Sequence, residues 1–120
     1  MLRDIKLIDF RSYQSKEFIL SETTNLVFGQ NAIGKTNLLE AIYLLGVGDS
    51  FRAKRTEEMV RFGQELGRVE GKIMDEKEDE IQLEVLVNGG TVMGRTVNKR
   101  KYLIDGVSKR RKDRQNYGKN

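Results

Sequence analysis

A chain of 120 residues with neither cysteine nor histidine has room for one modest core, as one domain or part of one. That composition excludes a disulfide framework and the usual transition-metal sites, so any metal would be a hard cation held by oxygen. No window approaches the ~18 apolar residues of a membrane span and no signal peptide is visible, so a cytoplasmic setting without a membrane partner is expected. The net charge of +4 is unevenly placed. Residues 99–120 hold nine Lys/Arg against two Asp, and the first 98 hold 13 basic against 16 acidic residues, which predicts a basic terminal segment and not a basic face over the whole fold.

In chain order, residues 2–10, "LRDIKLIDF", alternate apolar and charged positions and read as a strand. Phe18–Leu20 suggests its partner after a turn near Ser15. Asn25–Phe28 is a short apolar run stopped by Gly29, the pattern of a buried strand feeding a loop. From Lys35 the period changes: Leu38, Ala41, Ile42 and Leu45 share one helical face, Leu39 lies beside them, and Gly46 and Gly48 end the helix. Residues 49–67 are polar, with a helical turn expected around Glu57–Phe62. Strands are then expected at Arg68–Met74 and over 80–88, where Ile81, Leu83, Val85 and Val87 alternate strictly. The acidic stretch Asp75–Glu80 between them reads as a solvated loop. "NGG" at 88–90 signals a hairpin into Thr91–Val97, and Tyr102–Ile104 followed by Asp105-Gly106 predicts one more strand and turn.

The most informative stretch is Gly29-Gln30-Asn31-Ala32-Ile33-Gly34-Lys35-Thr36, which satisfies G-x-x-x-x-G-K-[ST] between a predicted strand and a predicted helix. Glycines let successive backbone N–H groups approach phosphate oxygens, and the helix start adds unpaired N–H groups and the positive end of its dipole. Lys35 supplies a point charge for the β and γ phosphates, and the Thr36 hydroxyl a coordination position on Mg²⁺. Residues 29–36 together with Asn37 are therefore the candidate ATP site.

Other charged residues are less specific. Arg11, in "DFRSY", reads by itself as a solvated strand-end arginine, and Glu40 as a solvated residue on the helix face. Arg52, Lys54 and Arg55 in "SFRAKR" are equally compatible with a solvated loop and with phosphate contacts to a nucleic acid. Lys109, Arg110, Arg111 and Lys112 extend that second reading into the basic end of the chain.

The segments "LRDIKLIDFRSY", "NLVFGQNAIGKTNLLEAIYLLGVGDSFR", "EEMVRFGQE" and "RVEGKI", in this order and spacing, resemble the N-terminal part of the RecF family of bacterial recombination mediators, whose ATPase heads belong to the ABC and SMC class. The resemblance implies an α/β P-loop NTPase fold: the N-terminal lobe of such a head, with a mixed sheet around the P-loop helix and a flanking antiparallel sheet. On that footing residues 1–107 are lobe and 108–120 a basic tail. The resemblance also turns Arg11 toward the nucleotide phosphates and matches Asn31 to the asparagine of the family's loop. It implies ATP with Mg²⁺, an ATP-dependent homodimer, DNA at single-strand to double-strand junctions, and partners of the RecO and RecR type in loading a recombinase. DNA replication, recombination, repair and the SOS response are the processes that come with it.

Two parts of such a head are missing from the sequence. No apolar run ends in the Asp-Glu of a Walker B segment, and no Ser-Gly-Gly signature loop precedes a helix. The chain is thus expected to match the first third of the family, as a truncated or fragmentary copy that binds ATP weakly at best as a monomer and hydrolyses none. The alternatives are a basic nucleic-acid-binding module without nucleotide chemistry, and a small P-loop kinase, for which the β-rich segment after Gly67 offers no helical lid.

Overall fold

The computed structural model describes residues 2–20, 32–74, 79–105 and 107–109. The first two strands, β1 (Leu2–Phe10) and β2 (Tyr13–Ile19), form an antiparallel hairpin. Its turn falls at Arg11-Ser12, between the paired Phe10 and Tyr13, and not near Ser15. Arg11 takes the first central position of this two-residue turn with φ of 53°, a left-handed conformation that costs a non-glycine side chain and must be held by its surroundings. The expected buried strand 25–28 and the loop residues Gly29, Gln30 and Asn31 lie outside the described residues.

Helix α1 runs over Ala32–Val47 and starts three residues before Lys35, so Gly34 and Lys35 lie in its first turn and Thr36 opens its second. Leu38, Ala41, Leu44 and Leu45 are buried against the sheet, together with Asn37 and Glu40. The buried stripe is rotated from the expected one: Leu44 replaces Ile42, which only packs at the core's edge, and Leu39 is exposed. Gly46 stays within the helix, and termination comes at Gly48, whose φ is 86° and whose N–H donates to the Leu44 carbonyl at 2.9 Å. This left-handed cap satisfies one of the carbonyls that a helix end leaves over.

A 3-10 turn at Thr56–Met59 follows, a little earlier than the helical turn expected at Glu57–Phe62. The Glu58 carboxylate accepts the Arg55 backbone N–H at its start. The chain then forms β3 (Leu66–Met74) and β4 (Glu80–Asn88), paired antiparallel over nine positions. In place of one strand after "NGG", residues 91–97 fold on themselves as a small hairpin of β5 (Thr91–Val92) and β6 (Arg95–Thr96). Its turn is Met93-Gly94, with φ of 51° and 76°, the pair of left-handed residues that a tight hairpin requires. Asn88 fastens the detour: its side-chain amide donates to the Asn98 carbonyl and its side-chain oxygen accepts the Gly90 N–H. Strand β7 (Arg100–Ile104) returns to pair with β4, and β8 (Val107–Lys109) adds to β7. The sheet thus continues through Ser108 and Lys109, while Arg110, Arg111 and Lys112 lie outside the described residues.

The six-stranded sheet has the order β2-β1-β3-β4-β7-β8, with every described pairing antiparallel. Alternation along the strands puts Ile5, Leu7, Phe18, Val69, Leu83, Val85, Tyr102 and Ile104 on the face that α1 covers. Two glycines permit close approach on β3. A Cβ on Gly71 would lie 2.6 Å from Leu45 Cδ1 on α1, and one on Gly67 would lie 2.8 Å from the Asp9 carbonyl oxygen and 3.2 Å from Val87 Cγ2. The Asp9 contact is with backbone that also accepts the Arg61 N–H at 2.7 Å, so it cannot yield by a side-chain rotation. Gly67→Ala should lower stability by ~1–3 kcal/mol, read as a fall in the denaturant midpoint; an unchanged midpoint would show that β1 can move away without loss.

Candidate nucleotide site

The site is built where three segments meet. The hairpin tip is clamped from behind by the chain that follows the 3-10 turn. Arg11 N donates to the Met59 carbonyl at 2.8 Å, Arg61 N donates to the Asp9 carbonyl, Phe10 bridges Val60, and Arg61 Nε bonds the Asp9 carboxylate at 2.9 Å. These contacts hold the left-handed backbone at Arg11. On its other side the tip lies along the first turns of α1, where the Tyr13 hydroxyl donates to the Gly34 carbonyl at a long 3.5 Å.

The central group is the carboxylate of Glu40, which the sequence suggested was solvated and which is wholly buried. It sits on the same helix stripe as Asn37 and Leu44. Arg11 grips it side-on, Nε to Oε1 and Nη2 to Oε2, both at 2.7 Å. Ser50 Oγ donates to Oε2 at 2.6 Å, and Arg52 Nη2 donates to Oε1 at 3.0 Å and to Asn37 Oδ1. Ser50 Oγ in turn accepts the backbone N–H groups of Arg52 and Ala53, which shapes the turn that aims Arg52 back at the helix. Paired charges with this many hydrogen bonds are the condition under which a carboxylate can be buried at all.

The expected residues therefore divide into groups. Gly34, Lys35, Thr36 and Asn37 lie in the first turns of α1, with Lys35 exposed and Asn37 buried. The backbone of Ala32 and Ile33 opens that helix. Its first N–H groups have no partner within the helix, so this end favours anions. Arg11 is brought to the same helix, held through Glu40. Arg52 joins the same carboxylate, whereas Lys54 and Arg55 are exposed beyond it. Phe51 is half exposed and meets Tyr43 edge to face, with ring centroids 5.6 Å apart. Ser50 was not singled out from the sequence, and Glu40, read there as solvated on the helix face, is buried. The available signal was a carboxylate three residues after Asn37 on a stripe otherwise turned to the core, with arginines in both "DFRSY" and "SFRAKR".

Burial pushes the Glu40 carboxyl up, but the hydrogen bonds from Arg11, Arg52 and Ser50 and the charge of Arg11 outweigh it, leaving a pKa of about 2 against an ordinary 4.5. Because the folded value is the lower one, the stabilisation is complete above pH 4.5 and is lost as pH falls toward 2, a contribution of ~3 kcal/mol. Glu40→Gln should cost ~2 kcal/mol at neutral pH. Between pH 4.5 and 2 its stability should fall less steeply than that of the parent in denaturant titrations. Parallel acid limbs for the two proteins would contradict this role of the carboxylate.

No helix among the described residues is long and apolar enough to cross a membrane. The family described as RecF/RecN/SMC N terminal domain matches residues 1–118. Among curated proteins, the DNA replication and repair protein RecF of Agathobacter rectalis is 31% identical over 99 residues, 82% of this chain and 27% of its own length. That of Bacillus cereus is 38% identical over 72 residues, 60% of this chain and 19% of its own. Two solved structures of the recombination mediator protein RecF in the RecFOR pathway, described as RecF-ATPrS and RecF-ATP, superpose with TM-scores of 0.71 and 0.68 at 26% and 27% identity. They cover 95% and 90% of this chain and 29% and 28% of theirs. The chain thus spans about a quarter of the length of the relatives it matches. With the P-loop motif, the helix that follows it and the sheet beneath, it belongs to the RecF/RecN/SMC N-terminal domain family and forms the N-terminal part of a RecF-like ATPase head.

Proposed function

We propose that this chain is the ATP-binding part of a RecF-like DNA replication and repair protein. The observation that supports the reading best is that one helix carries Gly34-Lys35-Thr36 near its start and, five residues past Lys35, the Glu40 that holds Arg11 alongside it. The residues fit a nucleotide triphosphate. Backbone N–H groups at the start of α1 and the Lys35 ammonium would hold the phosphates, Arg11 would add a second cation, and the Thr36 hydroxyl would ligate Mg²⁺. Bound ATP supplies a transferable phosphoryl group and, before that, a cluster of negative charge around which an ATP-dependent homodimer can close.

In this reading DNA at single-strand to double-strand junctions and mediators of the RecO and RecR type are partners of the larger assembly. The exposed Lys54 and Arg55, with Lys109 and the basic residues after it, are where this chain would touch phosphates. The setting is cytoplasmic and the work is recombinational repair. The experiment is a titration of Mg²⁺–ATP against the chain and its Lys35→Ala variant. Weak binding by the parent is expected to fall at least about tenfold in the variant, equivalent to ~1.4 kcal/mol. Superimposable curves would remove the phosphate-cradle reading.

A further inference from the structure

We propose that Glu40 is a positioning residue for the nucleotide site, fixing Arg11 and Arg52 in one arrangement before any nucleotide arrives. The inference rests on the ATP-binding reading above. Glu40 lies five residues past Lys35 on α1, about 7.5 Å along the helix axis. Its carboxylate is wholly buried and ties together arginines from two separate segments, the hairpin tip and the loop after the helix.

Three further features favour positioning. The side-on grip uses Nε and Nη2 of Arg11 and leaves Nη1 with no partner among the described residues, so the edge left for an anion is defined in advance. Arg11 is also the residue whose backbone is held at φ of 53°, a strain that is sustained where a side chain must be aimed. Finally, one carboxylate between two guanidinium groups leaves a surplus positive charge beside α1. An unheld arginine would have to be ordered on binding, at the expense of affinity.

The test is a double-mutant cycle on Mg²⁺–ATP affinity, using the whole chain with Glu40→Gln, Arg11→Ala and their combination. Glu40→Gln should weaken binding about tenfold alone and clearly less in the Arg11→Ala background, because part of its effect passes through Arg11. Ser50→Ala, which removes one hydrogen bond without unpairing a charge, should weaken it about threefold and keeps the question open to measurement if Glu40→Gln folds poorly. Without nucleotide, ¹⁵N NMR should show the Arg11 Nε–H as one slowly exchanging resonance in the parent that is lost in Glu40→Gln. Equal losses from Glu40→Gln in both backgrounds, full affinity in Ser50→Ala, or a rapidly exchanging Arg11 Nε–H in the parent would each overturn the proposal while leaving the ATP reading in place. Failure of Lys35→Ala to weaken binding, or no binding by the parent at millimolar ATP, would instead remove the ATP reading, and this proposal with it.

Discussion

A carboxylate placed between a helix and a sheet must be compensated where it lies, because neither water nor a backbone donor of its own helix can reach it. Glu40 imposes that constraint on the rest of this fold. Its helix can rest on the sheet only if cations arrive from outside the helix, and the two that do come from a hairpin tip and from a loop. The positions of β1, β2 and the "SFRA" turn follow from this need as much as from apolar packing. The apolar stripe of Leu38, Ala41, Leu44 and Leu45 supplies the attraction between helix and sheet, but attraction of that kind has no direction. The ion pairs fix the helix in rotation and along its axis.

The opposite end of α1 is fastened by a different set of groups with the same logic. Arg100 Nη1 bonds the Asp49 carboxylate at 2.8 Å and reaches the Gly48 carbonyl at 3.3 Å, and the Tyr102 hydroxyl donates to the same carbonyl. A cation and a hydroxyl from β7 therefore meet the negative end of the helix dipole. Since Asp49 also accepts the Ser50 N–H, and Ser50 bonds Glu40, contacts run without a break from β7 through the helix end to the hairpin tip. The P-loop helix is thereby oriented by both halves of the sheet.

Most of the strands were legible because each side chain's exposure alternates, as in Ile81, Leu83, Val85 and Val87, and the P-loop was legible because its chemistry tolerates few substitutions. What escaped the sequence were choices settled by partners far away in the chain. Nothing local says that 91–97 should turn on itself, since Asn88, Gly89 and Gly90 announce a turn but not which later strand completes the ladder; that is decided by how well Tyr102 and Ile104 fill the core. The turn at Arg11-Ser12 was missed because arginine is a poor predictor of a left-handed backbone; the Met59 carbonyl and the Asp9–Arg61 contacts hold it there. Glu40 was misread for the same reason, its burial being intelligible only once Arg11 and Arg52 are known to be beside it.

The pairing of β1 with β3 has a kinetic meaning as well. Neighbours such as β3 with β4, or β1 with β2, close short loops, while Leu7 must find Val69 across about half of the chain. Closing long loops costs more chain entropy and is slower. Loop closure thus favours the two hairpins separately and opposes their docking. Arg11 and Glu40, 29 residues apart, belong to opposite sides of that docking event, with the arginine on the first hairpin and the carboxylate on a helix that needs the assembled sheet as its floor. Arg11 and Glu40 thus meet only once that docking is complete, so anything that binds the folded pair and not the separate hairpins would act as a clasp on the whole domain.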